Sequence, residues 1–317
     1  MDSSSPQRLD RADLLRQCEQ VLAGLPPGSV VCGLTVFDLI GVELSDTLRA
    51  AVDQGIHIAV PRGSLSRSTE SFTLHRPRRK ALAWRRIGSA LIAHPAFCWL
   101  QLVDQTLTRP GLGADTGFRL DPTLVPEAWA LRADRKGMGH SIIPTRPGVF
   151  TSPARERFVD LVQLVDQLLC RKRPVLTYQD CVEQLSERSD ASGVQVARLV
   201  FSHARPGTDS PPETRLRLTL VDGGYPVPAV SFPITDTSGR LIRLADLAYS
   251  IERVDLEYQG KYHFEGPAAV HRDRERRQDL DRLGWQLIEV VWSDFDNPSV
   301  IYQRLDTAIA RSRKLGT

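Results

Sequence analysis

Apolar positions along the first hundred residues follow two different periods. From 9 to 24 they recur three and four residues apart (Leu9, Ala12, Leu15, Cys18, Val21, Leu22), which predicts an amphipathic helix that Gly24-Leu-Pro-Pro-Gly28 brings to an end. The runs 56–60 and 71–74 are rich in β-branched and aromatic residues and bracket Pro61-Arg-Gly-Ser, so they predict two strands. A small α+β unit over 1–110 follows. From 111 to 152 the periodicity disappears into Gly and Pro clusters such as Lys136-Gly-Met-Gly139 and Arg146-Pro-Gly148, which predicts an irregular linker. Residues 153–171 and 177–204 return to helical spacing, with Phe158, Leu161, Val162, Val165, Leu168 and Leu169 on one stripe, and predict a helical connector over 153–205.

Beyond the breaker cluster Arg205-Pro-Gly-Thr-Asp-Ser210 the pattern changes again. A helix over 213–223 stops at Gly223-Gly224, and strands are expected at 228–234, 240–248 and 253–259. A helix over 268–283 ended by Gly284, a strand at 286–292 and a last helix over 298–313 complete the chain. Helix, three strands, helix, strand, helix is a compact α/β module over 206–317.

Composition adds limits. The chain has 317 residues, longer than the ~250–300 at which a single core stops growing, so at least two domains are expected. It is 41% hydrophobic and 25% charged, with no apolar run approaching the ~18 residues of a membrane span and no secretory leader pattern at Met1-Asp-Ser-Ser-Ser-Pro6. A cytoplasmic protein with no membrane partner is expected. Five cysteines without a Cys-x-x-Cys pair fit reduced thiols better than disulfides or a zinc site. The net charge of +3 is uninformative, and 206–317 carries 15 Lys/Arg against 17 Asp/Glu. Local charge says more: between 75 and 86 there are six Lys/Arg and no acid, including Arg76, Arg78, Arg79 and Lys80. Such a run is either a contact for nucleic-acid phosphates or a solvated loop.

The chemistry-bearing residues concentrate in the C-terminal module. Strand alternation puts Leu244, Asp246 and Ala248 on one face, and Asp255, Glu257 and Gln259 on one face of the next strand. If the two strands form a hairpin, Asp246 and Glu257 meet across it. Two carboxylates with the carbonyl of residue 258 would suit Mg²⁺, which uses few protein ligands and keeps its waters. The alternative is that these are edge-strand acids facing solvent. On the helix 268–283, Val270, Asp273, Arg277, Leu280 and Gly284 share a stripe, so Arg277 is expected to face the sheet, either to clamp a phosphate or carboxylate or to pair with Asp273.

Five motifs then occur in order: Ser210-Pro-Pro-Glu-Thr-Arg-Leu-Arg-Leu218, Ala245-Asp-Leu-Ala-Tyr249, Val254-Asp-Leu-Glu-Tyr-Gln-Gly-Lys-Tyr-His263, Arg272-Asp-Arg-Glu-Arg-Arg277 and Leu283-Gly-Trp-Gln-Leu-Ile288. Over about a third of the chain this series resembles the PD-(D/E)xK nuclease superfamily, in its branch similar to very short patch repair endonucleases. The resemblance implies a restriction-endonuclease-like module, a mixed sheet flanked by helices. It also implies a Mg²⁺ (or Mn²⁺) site on Asp246 and Glu257, with Glu213 and His263 assisting, and DNA as the partner; the candidate grips, from their charge, are Arg277, Arg274, Lys261 and the basic run at 76–80. Glu213 is equally placed to close a capping box onto Ser210. One departure bears on turnover: relatives carry Asp, and the wider superfamily Lys, where this chain has the neutral Gln259, with Lys261 two residues on. The N-terminal half is similar to the central region of abortive-infection type antitoxins without their winged helix, which implies a protein-partner surface. The expected function is a Mg²⁺-dependent DNA endonuclease acting in defence or repair. The alternative is a catalytically attenuated, nucleic-acid-binding or antitoxin-like interaction protein.

Overall fold

The computed structural model describes residues 10–52, 55–77, 83–108, 152–188, 193–260, 274, 275 and 277–315. The chain divides into two compact units, each mixed α/β. Of the described residues, those up to 108, 152–168 and 174–204 fall in the first, and 169–173 with those from 205 onward in the second.

In the first unit, α1 (Arg11–Ala23), α2 (Gly33–Ile40), α3 (Asp46–Ala50) and α4 (Pro95–Val103) accompany five short strands: β1 (Val30–Val31), β2 (Ile56–Ala59), β3 (Phe72–His75), β4 (Ala83–Ile87) and β5 (Ala90–Ala93). They form one mixed sheet in the order β3-β2-β1-β5-β4. The strands β2 and β3 pair in parallel, with Ile56 opposite Phe72 and Ala59 opposite His75. The Pro61 turn is therefore the start of a crossover and not of a hairpin, because parallel strands need about a dozen residues to bring the chain back. On β2 and β3, the buried His57 and the half-buried His75 stack their rings, with Nδ1 of His57 2.8 Å from Nε2 of His75.

Helices α5 (Ser152–Leu168), α6 (Tyr178–Glu187) and α7 (Val194–Ser202) were expected as a connector, yet they belong to this first unit. The reason lies in α4, whose residues are buried on all sides except Gln101 and so need cover from more than the sheet. Helices α5, α6 and α7 all contact α4, and the α5 stripe of Phe158, Leu161, Val162, Val165 and Leu168 has no exposed surface. Trp99 of α4 donates its indole N–H to the Leu161 carbonyl at 3.1 Å.

The second unit contains α8 (Pro211–Asp222), β6 (Ala229–Thr235), β7 (Leu241–Tyr249), β8 (Val254–Tyr258), β9 (Gln286–Val290) and α9 (Ser299–Leu315), with 277–282 also helical. Its sheet runs β6-β7-β8-β9, with two antiparallel pairings followed by a parallel one. Leu216 and Leu220 of α8 and Ile301 and Leu305 of α9 cover one face, packing on Leu247, Tyr249, Val254, Leu256, Ile288 and Val290. Leu280 packs with Ile234, Ala245 and Ala248 in a second core cluster, joined by Trp285 and Leu287. Helices therefore cover the sheet from both sides, and β8, the strand with the expected ligands, is internal rather than at an edge. That removes the solvent-facing alternative: Asp255 has no exposed surface and Glu257 is 7% exposed.

Candidate functional site

Two prolines in the first turn of α8 preset the helical φ where no amide donor is needed, so the helix starts abruptly after Ser210. Glu213 is buried in that first turn. Its carboxylate accepts from the Ser210 hydroxyl at 2.7 Å and from the Asp209 amide at 2.9 Å. The expected capping box would have bonded the Ser210 amide; here the acid caps one residue further upstream, and Ser210 spends its hydroxyl on the acid instead of on a helix amide. Burial pushes the Glu213 carboxyl up to about 7, the charge of Asp246 adds to the rise, and the Ser210 and Asp209 donors oppose it. Asp209 in turn is paired with Arg171 at 2.6 Å and Lys172 at 3.1 Å.

Strands β7 and β8 pair with Leu247 opposite Leu256 and Ala248 opposite Asp255, and one step further along this register sets Asp246 against Glu257 as expected. The two acids are held differently. Asp246 accepts from the Tyr258 amide at 3.3 Å. Its carboxyl is raised by burial, while Tyr258, Arg243 and Lys172 draw it down. Glu257 is bound by the Arg243 guanidinium, whose Nε also lies 3.5 Å from Asp255. Burial raises Asp255 to about 7, with Arg243 opposing and Asp246 adding to the rise. Among the described residues, neither carboxylate oxygen of Asp255 has a hydrogen-bond partner. The charge of Asp246 is thus felt by both Glu213 and Asp255, and Arg243 serves the Asp255–Glu257 side of the group.

At the neighbouring strand, Glu289 lies opposite Glu257 in the parallel register of β9. It accepts from Gln259 Nε2 at 3.0 Å and pairs with Arg277. Arg277 is 45% exposed, so the expectation that it faces the core is corrected: the guanidinium reaches the end of the sheet from a solvated position. Arg274 is exposed. Beyond β9, Trp292 is 53% exposed, with the Arg215 guanidinium 5.5 Å from its ring centroid.

Lys261 and His263, and Arg78, Arg79 and Lys80 of the basic run, lie outside the described residues. Within that run Arg76 is turned onto the Ser64 and Ser66 carbonyls, and Arg85 lies over the Trp84 ring at 4.2 Å. Among the described residues, no group of three or more His, Cys, Asp or Glu side chains is arranged to hold a metal ion, and no helix is long and apolar enough to cross a membrane. Sequence reasoning missed Arg243 and the Asp209–Arg171–Lys172 group. Arg243 had a signal: a guanidinium between the apolar Ile242 and Leu244, on a strand whose other charged residue is Asp246, needs a carboxylate partner.

Compared with known proteins, 133 residues of the chain are 29% identical to two curated proteins of Mycobacterium tuberculosis, from strains CDC 1551 and H37Rv, both described as uncharacterised. The match takes 42% of this chain and 49% of each relative, so the chain spans about half the length of the curated relatives it matches. No protein-family model and no solved structure matches the chain.

Proposed function

We propose that the second unit is a Mg²⁺- or Mn²⁺-dependent DNA endonuclease of the restriction-endonuclease-like kind, hydrolysing phosphodiester bonds. One observation carries the reading: Glu213, Asp246 and Asp255 come from three separate elements, burial raises the proton affinity of all three, and the charge of Asp246 adds to the rise at Glu213 and Asp255, which reach about 7. Buried acids that repel each other are the condition a hard divalent cation relieves, which is the fit these residues offer. Asp246 and Glu257 would hold the ion, which when bound activates water and neutralises charge on the phosphate. Glu213, with a carboxyl near neutrality, is suited to move a proton at working pH. The Tyr258 amide orients Asp246, and the Asp209 amide and Ser210 hydroxyl orient Glu213. Arg274, exposed on the helix that leads to β9, is available to the nucleic-acid backbone. A role in defence or repair rests on the resemblance alone.

The test uses the full chain with plasmid DNA and Mg²⁺ or Mn²⁺. Wild type is expected to nick or cut, and Asp246→Asn to lose at least about a hundredfold of that rate; equal rates in the two proteins would sink the reading. A second reading, an attenuated nucleic-acid-binding or antitoxin-like protein, is favoured by specific contacts: Glu257 is engaged by Arg243, and Gln259 donates to Glu289. It predicts salt-dependent DNA binding with no cleavage and no Mn²⁺ bound at millimolar concentration.

A further inference from the structure

Arg243 is 14% exposed on a strand whose neighbouring positions are apolar, and its guanidinium contacts Glu257 and approaches Asp255 at 3.5 Å. Asp255 has no exposed surface, and among the described residues its two oxygens lack hydrogen-bond donors, so Arg243 is the cation that faces its charge among the ion pairs described. A buried carboxylate left without a counter-charge is strongly unfavourable, and a guanidinium and a divalent cation are alternative solutions to that same problem. Two cations on the Glu257 carboxylate would repel each other, so each weakens the other's hold on it. The register that sets Asp246 opposite Glu257 makes the contest direct, because the acid that would complete a metal pair is the one the arginine holds.

We infer that Arg243 is an internal counter-cation that holds Glu257 until a divalent metal displaces it, so that metal loading and arginine release are a single exchange. This rests on the metal reading given under Proposed function and deepens it: the arginine sets the metal affinity of the site and keeps it low in the free protein. It also accounts for the engaged Glu257 without requiring that the site be dead. A purely structural ion pair differs in sign. Removing a structural arginine loosens the strand and weakens metal binding, whereas removing a competitor strengthens it.

The experiment is a calorimetric titration of Mn²⁺ into the full-length chain, with thermal melting in parallel. Arg243→Gln is expected to bind Mn²⁺ about tenfold or more tightly than wild type, as loss of a nearby positive charge dictates. It should melt lower than wild type without metal and regain more on adding Mn²⁺. Arg243→Lys, which keeps the charge but loses the planar fork, should fall between the two. If Arg243→Gln does not fold, the lysine variant decides, and affinity equal to or below wild type overturns the proposal. Unchanged or weaker binding by Arg243→Gln, with Asp246→Asn still impairing Mn²⁺ binding, overturns the exchange and leaves the metal reading standing. No Mn²⁺ binding in any of these proteins overturns both.

Discussion

His94 offers Nδ1 to the Ala96 amide at 3.3 Å and so caps α4, a role that only the unprotonated nitrogen can fill. Burial holds its pKa below the usual 6.5, although Asp180, Glu183 and Glu187 pull the other way. A histidine lowered in the folded state contributes stability that is present above the unfolded value of 6.5 and is lost as pH falls through the folded value. Urea midpoints of wild type are therefore expected to drop on going from neutral to mildly acidic buffer. His94→Asn keeps an acceptor at every pH and should show a smaller drop; parallel curves for the two proteins would exclude the cap as the cause. At this scale the sequence revealed identities better than engagements. Asp246, Glu257 and Glu213 were legible as candidates from alternation and motif order, and the structure brings Glu213 and Asp246 within reach of each other's charge. What could not be read was who neutralises whom, since Arg243 reaches Glu257 through its long side chain across a strand pair and no local spacing encodes that choice.

Elements of the second unit follow the hydrophobic pattern closely because each is buried on a definite face. The expected strands at 228–234, 240–248 and 253–259 correspond to β6, β7 and β8 within one or two residues. In the first unit the runs at 56–60 and 71–74 were legible as strands, but their parallel pairing was not, since period-two patterning gives a face and not a direction. The end of α8 gives a test at this scale. A Cβ on Gly223 would come within 2.6 Å of the Tyr302 ring, and that ring is pinned because its hydroxyl donates to the Thr219 carbonyl at 2.9 Å. Gly223 has φ of −71°, so its backbone would accept alanine and only the ring objects. Gly223→Ala is expected to cost about 1–3 kcal/mol in urea unfolding, and to cost almost nothing when Tyr302→Leu has removed the ring. A neutral effect in the wild-type background would show that α9 shifts freely.

At the scale of the whole chain, the two units are interleaved in sequence. Residues 169–173 belong with 205–317, although 174–204 lies between them and belongs to the first unit. Composition marked the breaker at 205–210 as a boundary and gave no hint of this, because a five-residue segment carries no period of its own. Its visible tie is Arg171 and Lys172 on Asp209, with the two cations 49% and 67% exposed. Both cations keep much of their solvation although Asp209 is only 11% exposed, so Arg171→Gln with Lys172→Gln should change unfolding free energy by less than about 1 kcal/mol. A loss above about 2 kcal/mol would mean that the segment is held chiefly by these charges. The interleaving also has a consequence for how the molecule is made. During synthesis the amino-terminal parts emerge first, so every segment of the first unit has left the ribosome before residue 205 does. Arg171 and Lys172 are therefore synthesised well before Asp209, and these pairs can close only once residues 205–209 have been made.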